Sequence, residues 1–539
     1  MFCNQCEETA KGTGCTARGV CGKDETTAGL QDVLIYLCKG ISVRNIAAME
    51  KGQGNDEAGA FIAEALFSTL TNVNFDPAYF SDMIARAVAI RDALPASAAV
   101  EPGACTWHPA NAGAITAKAQ EIEEEAAKND DVTSLRSLLV YGLKGVAAYY
   151  YHAAVLGYTD ESIGKFIQKG LASTVMTLSA GEMTALVLEC GGVGVTTLAL
   201  LDKANTTKFG NPVITSVKTT VGTRPGILVT GHDLHDLRQL LEQSASAGID
   251  VYTHGEMLPA HAYPELKKFT HLVANYGGSW PSQAKDFENF NGPVLVTTNC
   301  IVPPKDSYKA RIFTTGPAGY PGVRHIPGQQ DGKKDFSQII ALAKTTQPPR
   351  AAENAGRELI TGCAHNAVLS IAGTVIEAVK KGDIRRFIVM AGCDGRQAER
   401  GYYTEFAKAL PRDTIILTAG CAKYRYNSLD LGTIGGLPRV IDAGQCNDCY
   451  SLVVVAKALA DAFGVGLNEL PVSYNIAWYE QKAVLVLLSL LNLGGKNITL
   501  GPKLPAFVSP GILKVLVENF GMAPNTTVDA DLPRMVPTA

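Results

Sequence analysis

The sequence predicts a multidomain α and α/β protein, with an N-terminal helical-bundle domain followed by two α/β domains and a shared site between them. Three observations carry this. Apolar residues recur at helical spacing from Thr26 to about Asn205. Beyond Gly210-Asn211-Pro212 the pattern changes to short apolar runs of strand length. Those runs close in small residues and glycine, with a Cys, His or Glu next in the chain. The expected domains are 1–211, 212–349 and 350–539, the second boundary falling at the linker-like Gln347-Pro348-Pro349-Arg350.

The first segment opens with Cys3-Asn4-Gln5-Cys6, then Cys15 and Cys21, spaced Cys-x2-Cys-x8-Cys-x5-Cys among Gly12, Gly14, Gly19 and Gly22. A short glycine-rich loop of this kind lets the backbone wrap an iron-sulfur cluster and turn amides towards its sulfides. One zinc ion is the alternative, but zinc ribbons usually carry two Cys-x2-Cys knuckles and here the second pair is spaced by five. Helical faces follow: Leu30, Val33, Leu34 and Leu37; then Phe61, Ile62, Ala65 and Leu66; then Phe80, Met83, Ile84, Ala87 and Val88. Two further helices are expected over Leu138 to Leu156 and Ser179 to Leu201, the second opened by a Ser179–Glu182 capping box. Cys38 and Cys190 lie on apolar helix stretches and read as small buried hydrophobes, and His108 and His152 have no metal-binding partner at helical spacing. Gly191-Gly192-Val193-Gly194 falls inside a helical pattern, so it is not a nucleotide loop.

In the second segment Ile227-Leu228-Val229-Thr230-Gly231 leads to His232, Asp250-Val251-Tyr252-Thr253 leads to His254 and Glu256, and Pro293-Val294-Leu295-Val296 leads to Cys300. In the third, Phe387 to Met390 leads to Cys393, Thr414 to Leu417 to Cys421 and Val440-Ile441 to Cys446, with Glu480 and Lys482 further on. Buried parallel strands present their carboxyl ends to one crevice, so these side chains converge despite their separation in sequence. Thiolates joined by imidazole and carboxylate suit a mixed iron-sulfur-oxygen centre and exceed what one structural zinc needs. His254 is the second choice to His232 as ligand. Cys363, and Cys449 in Cys446-x2-Cys449, are further thiols.

Composition bounds the chemistry. The 539 residues allow about three or four domains, each with its own core. Basic residues number 48 against 52 acidic ones, so no strong field favours nucleic acid or an anionic membrane, and small-molecule chemistry is expected. No run reaches the roughly eighteen uninterrupted apolar residues of a membrane span. The longest candidate, Ala483 to Leu493, is broken by Ser489 and Asn492. Cys3 and Cys6 stand where a signal peptide would carry its basic region, so a cytoplasmic location is expected. Thirteen cysteines in that setting read as metal ligands rather than disulfides.

The residues also resemble a known family. Cys3, Cys6, Cys15 and Cys21, His232 in Gly-His-Asp-Leu, Glu256 in His-Gly-Glu-Met, Cys300 in Thr-Asn-Cys-Ile, Cys393 in Gly-Cys-Asp-Gly, Cys421, Cys446, and Glu480 with Lys482 in Trp-Tyr-Glu-Gln-Lys are similar to the hybrid cluster, or prismane, family of hydroxylamine reductases. The resemblance implies two Rossmann-like α/β domains after the helical bundles, with the hybrid cluster between them. It implies a 4Fe-4S cluster on Cys3, Cys6, Cys15 and Cys21. A hybrid 4Fe-2S-2O cluster would lie on His232, Glu256, Cys300, Cys393, Cys421, Cys446 and Glu480, with Cys393 a persulfide in the oxidised state. The implied activity is reduction of hydroxylamine to ammonia, of nitric oxide to nitrous oxide, or both. Glu256 and Glu480 would hold the open iron edge catalytically. Lys482 would supply a proton or orient the substrate, or simply neutralise the nearby carboxylates. Trp280 and Tyr479 are placed either for electron passage or for core packing. An external donor protein is expected, because no flavin or nicotinamide fingerprint is present. Two rival readings remain. One is a carbon monoxide dehydrogenase-like nickel-iron enzyme, against which the hard ligands Glu256 and Glu480 argue. The other is a nitrogen-oxide redox sensor or protein nitrosylation factor acting in nitrosative stress.

Overall fold

The computed structural model describes residues 1–98, 100–329 and 332–537. Eight helices build the first part: α1 Glu25–Met49, α2 Asp56–Ser68, α3 Pro77–Ala93, α4 Gly103–Thr106, α5 Ala112–Ala126, α6 Asp131–Val155, α7 Glu161–Ser173 and α8 Ala180–Phe209. Each of them except the four-residue α4 starts at an Asp, Asn or Ser whose side chain accepts a hydrogen bond from a first-turn amide, meeting a donor that the helix itself cannot satisfy. The expected capping box between Ser179 and Glu182 opens α8. The last helix runs eight residues beyond the expected Leu201, since no breaker precedes Gly210.

The strands follow in order: β1 Thr215–Lys218, β2 Gly226–Thr230, β3 Asp250–Thr253, β4 Leu272–Asn275, β5 Val294–Val296, β6 Ile312–Thr315, β7 Arg324–Ile326, β8 Glu358–Thr361, β9 Arg386–Val389, β10 Thr414–Thr418, β11 Thr433–Ile434, β12 Leu437–Pro438, β13 Val440–Asp442, β14 Val472–Ala477, β15 Ile498–Gly501 and β16 Ala523–Pro524. One parallel sheet has the order β4-β3-β2-β5-β6-β7 and the other β13-β10-β9-β14-β15-β16. These are the same permutation. In each sheet the first strand is central, the chain steps outwards on one side, then crosses back to fill the other. The crevice opens where the direction reverses, between β2 and β5 in one sheet and between β9 and β14 in the other. The core strands β2 and β3 are buried throughout, as central strands covered on both faces are. A short antiparallel ribbon of β1 with β8 ties the entrances of the two α/β parts together.

The three parts interlock. Helix Gln481–Asn492, which follows β14, leaves its own sheet and packs between α6 and α8. Glycine permits the approach. A Cβ on Gly191 would lie 2.1 Å from the Leu488 carbonyl oxygen, and one on Gly145 2.8 Å from that of Gln481. The glycine run in α8 therefore serves helix packing. Among the described residues α8 is the one helix long and apolar enough to cross a membrane by length and composition, with a mean hydropathy of 1.7 over its most apolar window, whereas the apolar helix at Gln481–Asn492 is too short.

Two candidate metal centres

The site begins at the strand ends. Gly392, between β9 and Cys393, has φ of 112°, and an added Cβ would fall 1.9 Å from the Ala477 carbonyl oxygen. Only glycine turns the chain there while β9 and β14 stay in contact, and the Cys393 amide then donates to that same carbonyl at 2.8 Å. Similar positive-φ glycines precede His232, Glu256 and Cys421.

These turns bring the expected residues together. His232 after β2, Glu256 after β3, Cys300 after β5, Cys393 after β9, Cys421 after β10, Cys446 after β13 and Glu480 after β14 all line one narrow cavity of about 30 Å³. Glu256, Cys393, Cys421 and Glu480 are buried. The ligand atoms of His232, Glu256 and Cys446 lie within 4.8 Å of one another. His232 turns Nε2 to within 3.7 Å of Glu256 Oε2, while its Nδ1 meets the Thr298 hydroxyl at 3.0 Å. Glu256 Oε2 accepts the Cys446 amide at 2.8 Å, but Glu256 Oε1 is buried with no partner. Gln445 clasps the crevice from outside, donating Nε2 to the carbonyls of His232, at 3.1 Å, and Glu256, at 2.9 Å.

Lys482 is a buried cation beside the cavity. Its Nζ stands 3.0 Å from His232 Nε2, donates to Asn299 Oδ1 at 3.0 Å and lies 3.6 Å from Glu480 Oε1. Glu480 also caps helix Gln481–Asn492 through the Lys482 amide, at 2.7 Å. Burial pushes the carboxyls of Glu256 and Glu480 up, against the pull of Lys423 and Lys482 respectively. Burial likewise raises Cys300 and Cys421 well above an ordinary thiol and takes Cys446 to about 12. Left alone, these thiols stay protonated. A cation that compensates the thiolates is what this donor set lacks.

The N-terminal loop forms the second centre. Cys3 and Cys15 exchange backbone hydrogen bonds of 3.0 and 2.8 Å, and the Ala10 amide points at Cys15 Sγ from 3.4 Å. Burial raises the Cys6 thiol, followed by the charges of Cys21, Cys3 and Cys15, so all four thiols act on one locus. This loop is bolted to the larger site. The Glu7 amide donates to the Tyr479 carbonyl at 3.0 Å and Gln481 Nε2 to the Gln5 carbonyl at 2.6 Å. Tyr479 lines the His232 cavity, stacks on Trp280 at 4.6 Å between ring centroids, and is buried beside Cys6 as well as Cys300.

Other residues fall elsewhere. His254 faces away, between Asp286 Oδ2 and Thr230 Oγ1, each at 3.2 Å. Strand alternation fails to put it beside Glu256 because a 3-10 helix, Gly255–Ala262, begins directly after it. Cys363 packs in an apolar cluster and Cys449 lines a separate apolar cavity. Asn299, Thr298 and Gln445 escaped sequence reasoning, since neutral polar side chains carry no spacing signal. His152 is more than a buried helix residue: its ring lies 6.3 Å from that of His232.

Comparison with known proteins places this architecture. The chain is 57% identical over 543 residues to a protein named hydroxylamine reductase from Desulfitobacterium hafniense, covering 99% of this chain and 98% of that one. It is 55% identical over 537 residues to a protein of the same name from Methanosarcina mazei, covering 99% of both. Carbon monoxide dehydrogenase IV from Carboxydothermus hydrogenoformans shares the fold at a TM-score of 0.57 and 15% identity, over 97% of this chain and 89% of that one. The profile of the Prismane/CO dehydrogenase family matches residues 1–533, and with both α/β sheets and the helical bundle inside that span the chain belongs to this family.

Proposed function

We propose that the chain is an iron-sulfur oxidoreductase that reduces hydroxylamine to ammonia. A hybrid 4Fe-2S-2O cluster would be held by His232, Glu256, Cys300, Cys393, Cys421, Cys446 and Glu480, and a 4Fe-4S cluster by Cys3, Cys6, Cys15 and Cys21. The observation that carries the reading is the convergence of seven sulfur, nitrogen and oxygen donors from two sheets on one cavity, with Glu256 Oε1 buried and unpartnered. When bound, such a cluster supplies electrons and a Lewis-acidic iron edge. For the N-terminal centre the cluster fits better than zinc. The Ala10 amide aimed at Cys15 Sγ from 3.4 Å suits a cluster whose sulfides also take backbone hydrogen bonds.

The balance of the reaction assigns work to the chain. Hydroxylamine, two electrons and two protons give ammonia and water, with the N–O bond broken. Lys482 is the buried donor aimed at this step: its ammonium is held by Asn299 and Glu480 beside His232 and can pass a proton to the departing hydroxyl. Glu480 and Asn299 keep that ammonium in place, and Trp280 and Tyr479 close the cavity on the side of the N-terminal loop. Reduction of nitric oxide, a persulfide on Cys393, an external electron-donor protein, a cytoplasmic location and a part in nitrosative stress belong to the same reading. So does the division into 1–211, 212–349 and 350–539, supported by the first strands of the two later parts starting at Thr215 and Glu358.

Metal and sulfide analysis of anaerobically purified protein tests the proposal, with paramagnetic resonance of the reduced form before and after hydroxylamine. About eight irons are expected, four for each cluster, with one signal perturbed by hydroxylamine. Four irons and one unperturbed signal would remove the hybrid centre. Nickel in stoichiometric amount would favour the dehydrogenase-like chemistry of the structural neighbour.

A further inference from the structure

A second cavity, of about 380 Å³, lies between α1, α5 and α6 and opens beside the N-terminal loop. Of the four N-terminal thiols only Cys3 lines it, so it is not the seat of the cluster but a space reaching its edge. Its acidic and basic groups are unevenly matched. Glu121 is taken by Lys118, Glu123 by the terminal amine and Glu125 by Lys128. Four cations remain. Lys23 has only the neutral Gln31 Oε1 as hydrogen-bond acceptor, at 2.6 Å, and Lys144 only Gln5 Oε1, at 2.8 Å, and the Thr69 carbonyl, at 3.2 Å. Arg136 donates one nitrogen to the Met176 carbonyl at 3.0 Å, and its Nε is buried without a partner. Lys39 makes no hydrogen bond or ion pair among the described residues. Asp32 alone opposes them, itself without a hydrogen-bond partner.

Thiolates at Cys3 and its neighbours account for Lys23 and Lys144, which stand on that side of the cavity. Lys39 and Arg136 are left over. Burial pulls Lys39 down to about 8, with the Arg136 charge adding to the pull and Asp32 alone set against it. An uncompensated cation in a low-dielectric wall is costly, and an anion seated against it offsets that cost. A guanidinium presents paired donors that match phosphate-type oxygens, and a lysine adds a point charge.

We infer that this cavity, which reaches the edge of the N-terminal centre at Cys3, binds a small oxyanion of the phosphate class between Lys39 and Arg136. Negative charge there disfavours an added electron on that centre, so occupancy lowers its reduction potential and slows electron entry. The oxyanion is either free or carried on a planar redox molecule, for which Tyr36 and Tyr141 offer aromatic walls.

Titration calorimetry on the holoprotein at low ionic strength, with inorganic phosphate and then flavin mononucleotide as probes, separates the two. Phosphate should bind at a single site, and Lys39→Gln and Arg136→Gln should each weaken it about tenfold or more. The midpoint potential of the N-terminal centre should fall on saturation. Flavin mononucleotide binding more tightly than phosphate, and displaced by it, assigns a carried phosphate; phosphate binding alone assigns a free oxyanion. No phosphate binding in the millimolar range, or equal affinity in both variants, overturns the inference. Should a variant fail to fold, the wild-type binding and potential measurements still decide. The heat of binding does not depend on hydroxylamine chemistry, so this inference and the reductase reading fail independently.

Discussion

At the scale of single residues, the orientation of His232 rests on Thr298. The Thr298 hydroxyl accepts the His232 amide at 2.9 Å and meets its Nδ1 at 3.0 Å, which leaves Nε2 as the ring nitrogen facing the cavity. Partners of this kind fix the tautomer of a ligating imidazole, and their loss typically costs about 10–100-fold in metal affinity or activity. On the proposed assignment, Thr298→Val should therefore lower the iron held at the His232 cavity while the N-terminal signal stays intact, as resonance of the reduced protein would show. Lys482 tests a different role. If its ammonium donates in the chemical step, Lys482→Gln should keep its iron and lose about 10²–10⁴-fold in kcat. If it only neutralises carboxylates, iron content should fall together with kcat. The seven candidate ligands were legible in the sequence because each is a distinctive residue type after a strand-length run. Thr298 and Asn299 were not, because threonine and asparagine are common at loops and their partners, His232 and Lys482, lie 66 and 183 residues away.

At the scale of elements, the stretch that carries Glu256 is set by its own buried histidine. The 3-10 helix Gly255–Ala262 holds His261 with Nε2 3.0 Å from the Thr253 hydroxyl, at the end of β3. Burial lowers its pKa to about 4. Above the unfolded value of about 6.5 both states are neutral and the contribution is whole. As pH falls from there towards 4 the unfolded chain takes a proton that the folded one refuses, so stability declines, by an amount of the order of 3 kcal/mol. His261→Gln keeps a hydrogen-bonding group and removes the titration. Its melting temperature should fall less between pH 7 and pH 4.5 than that of the parent chain. Element types were largely readable: the helical period and the apolar strand runs survive in the fold. The β1–β8 ribbon was not, because two four-residue strands with partly exposed faces look like loop until they meet across 140 residues.

At the scale of the whole molecule, one buried arginine joins what the chain keeps apart. The Arg400 guanidinium is 1% exposed and donates to Glu7 Oε2 at 2.9 Å, to the Cys393 carbonyl at 3.0 Å and to the Trp478 carbonyl at 2.7 Å. It thus links the N-terminal loop to the ends of β9 and β14, the two strands flanking the crevice of the second sheet. Arg396 repeats the link outside, through Glu8 Oε2 at 2.7 Å and the Val20 carbonyl at 2.9 Å. None of this could be read from spacing, since Glu7 and Arg400 are 393 residues apart. Removing one member of a buried pair leaves the other charge stranded, which costs about 3–5 kcal/mol, whereas removing both is far milder. Arg400→Met should lower the unfolding free energy measured by urea titration by that amount, and Arg400→Met with Glu7→Gln should recover most of it. Both variants should also slow electron passage from the N-terminal centre to the His232 cavity, because Tyr479 sits on the backbone that this pair clamps to the loop. Recovery of stability without recovery of that rate would mark the pair as the joint that holds the two centres in register. Equal loss in the single and double variants would shift that role to Arg396 and Glu8.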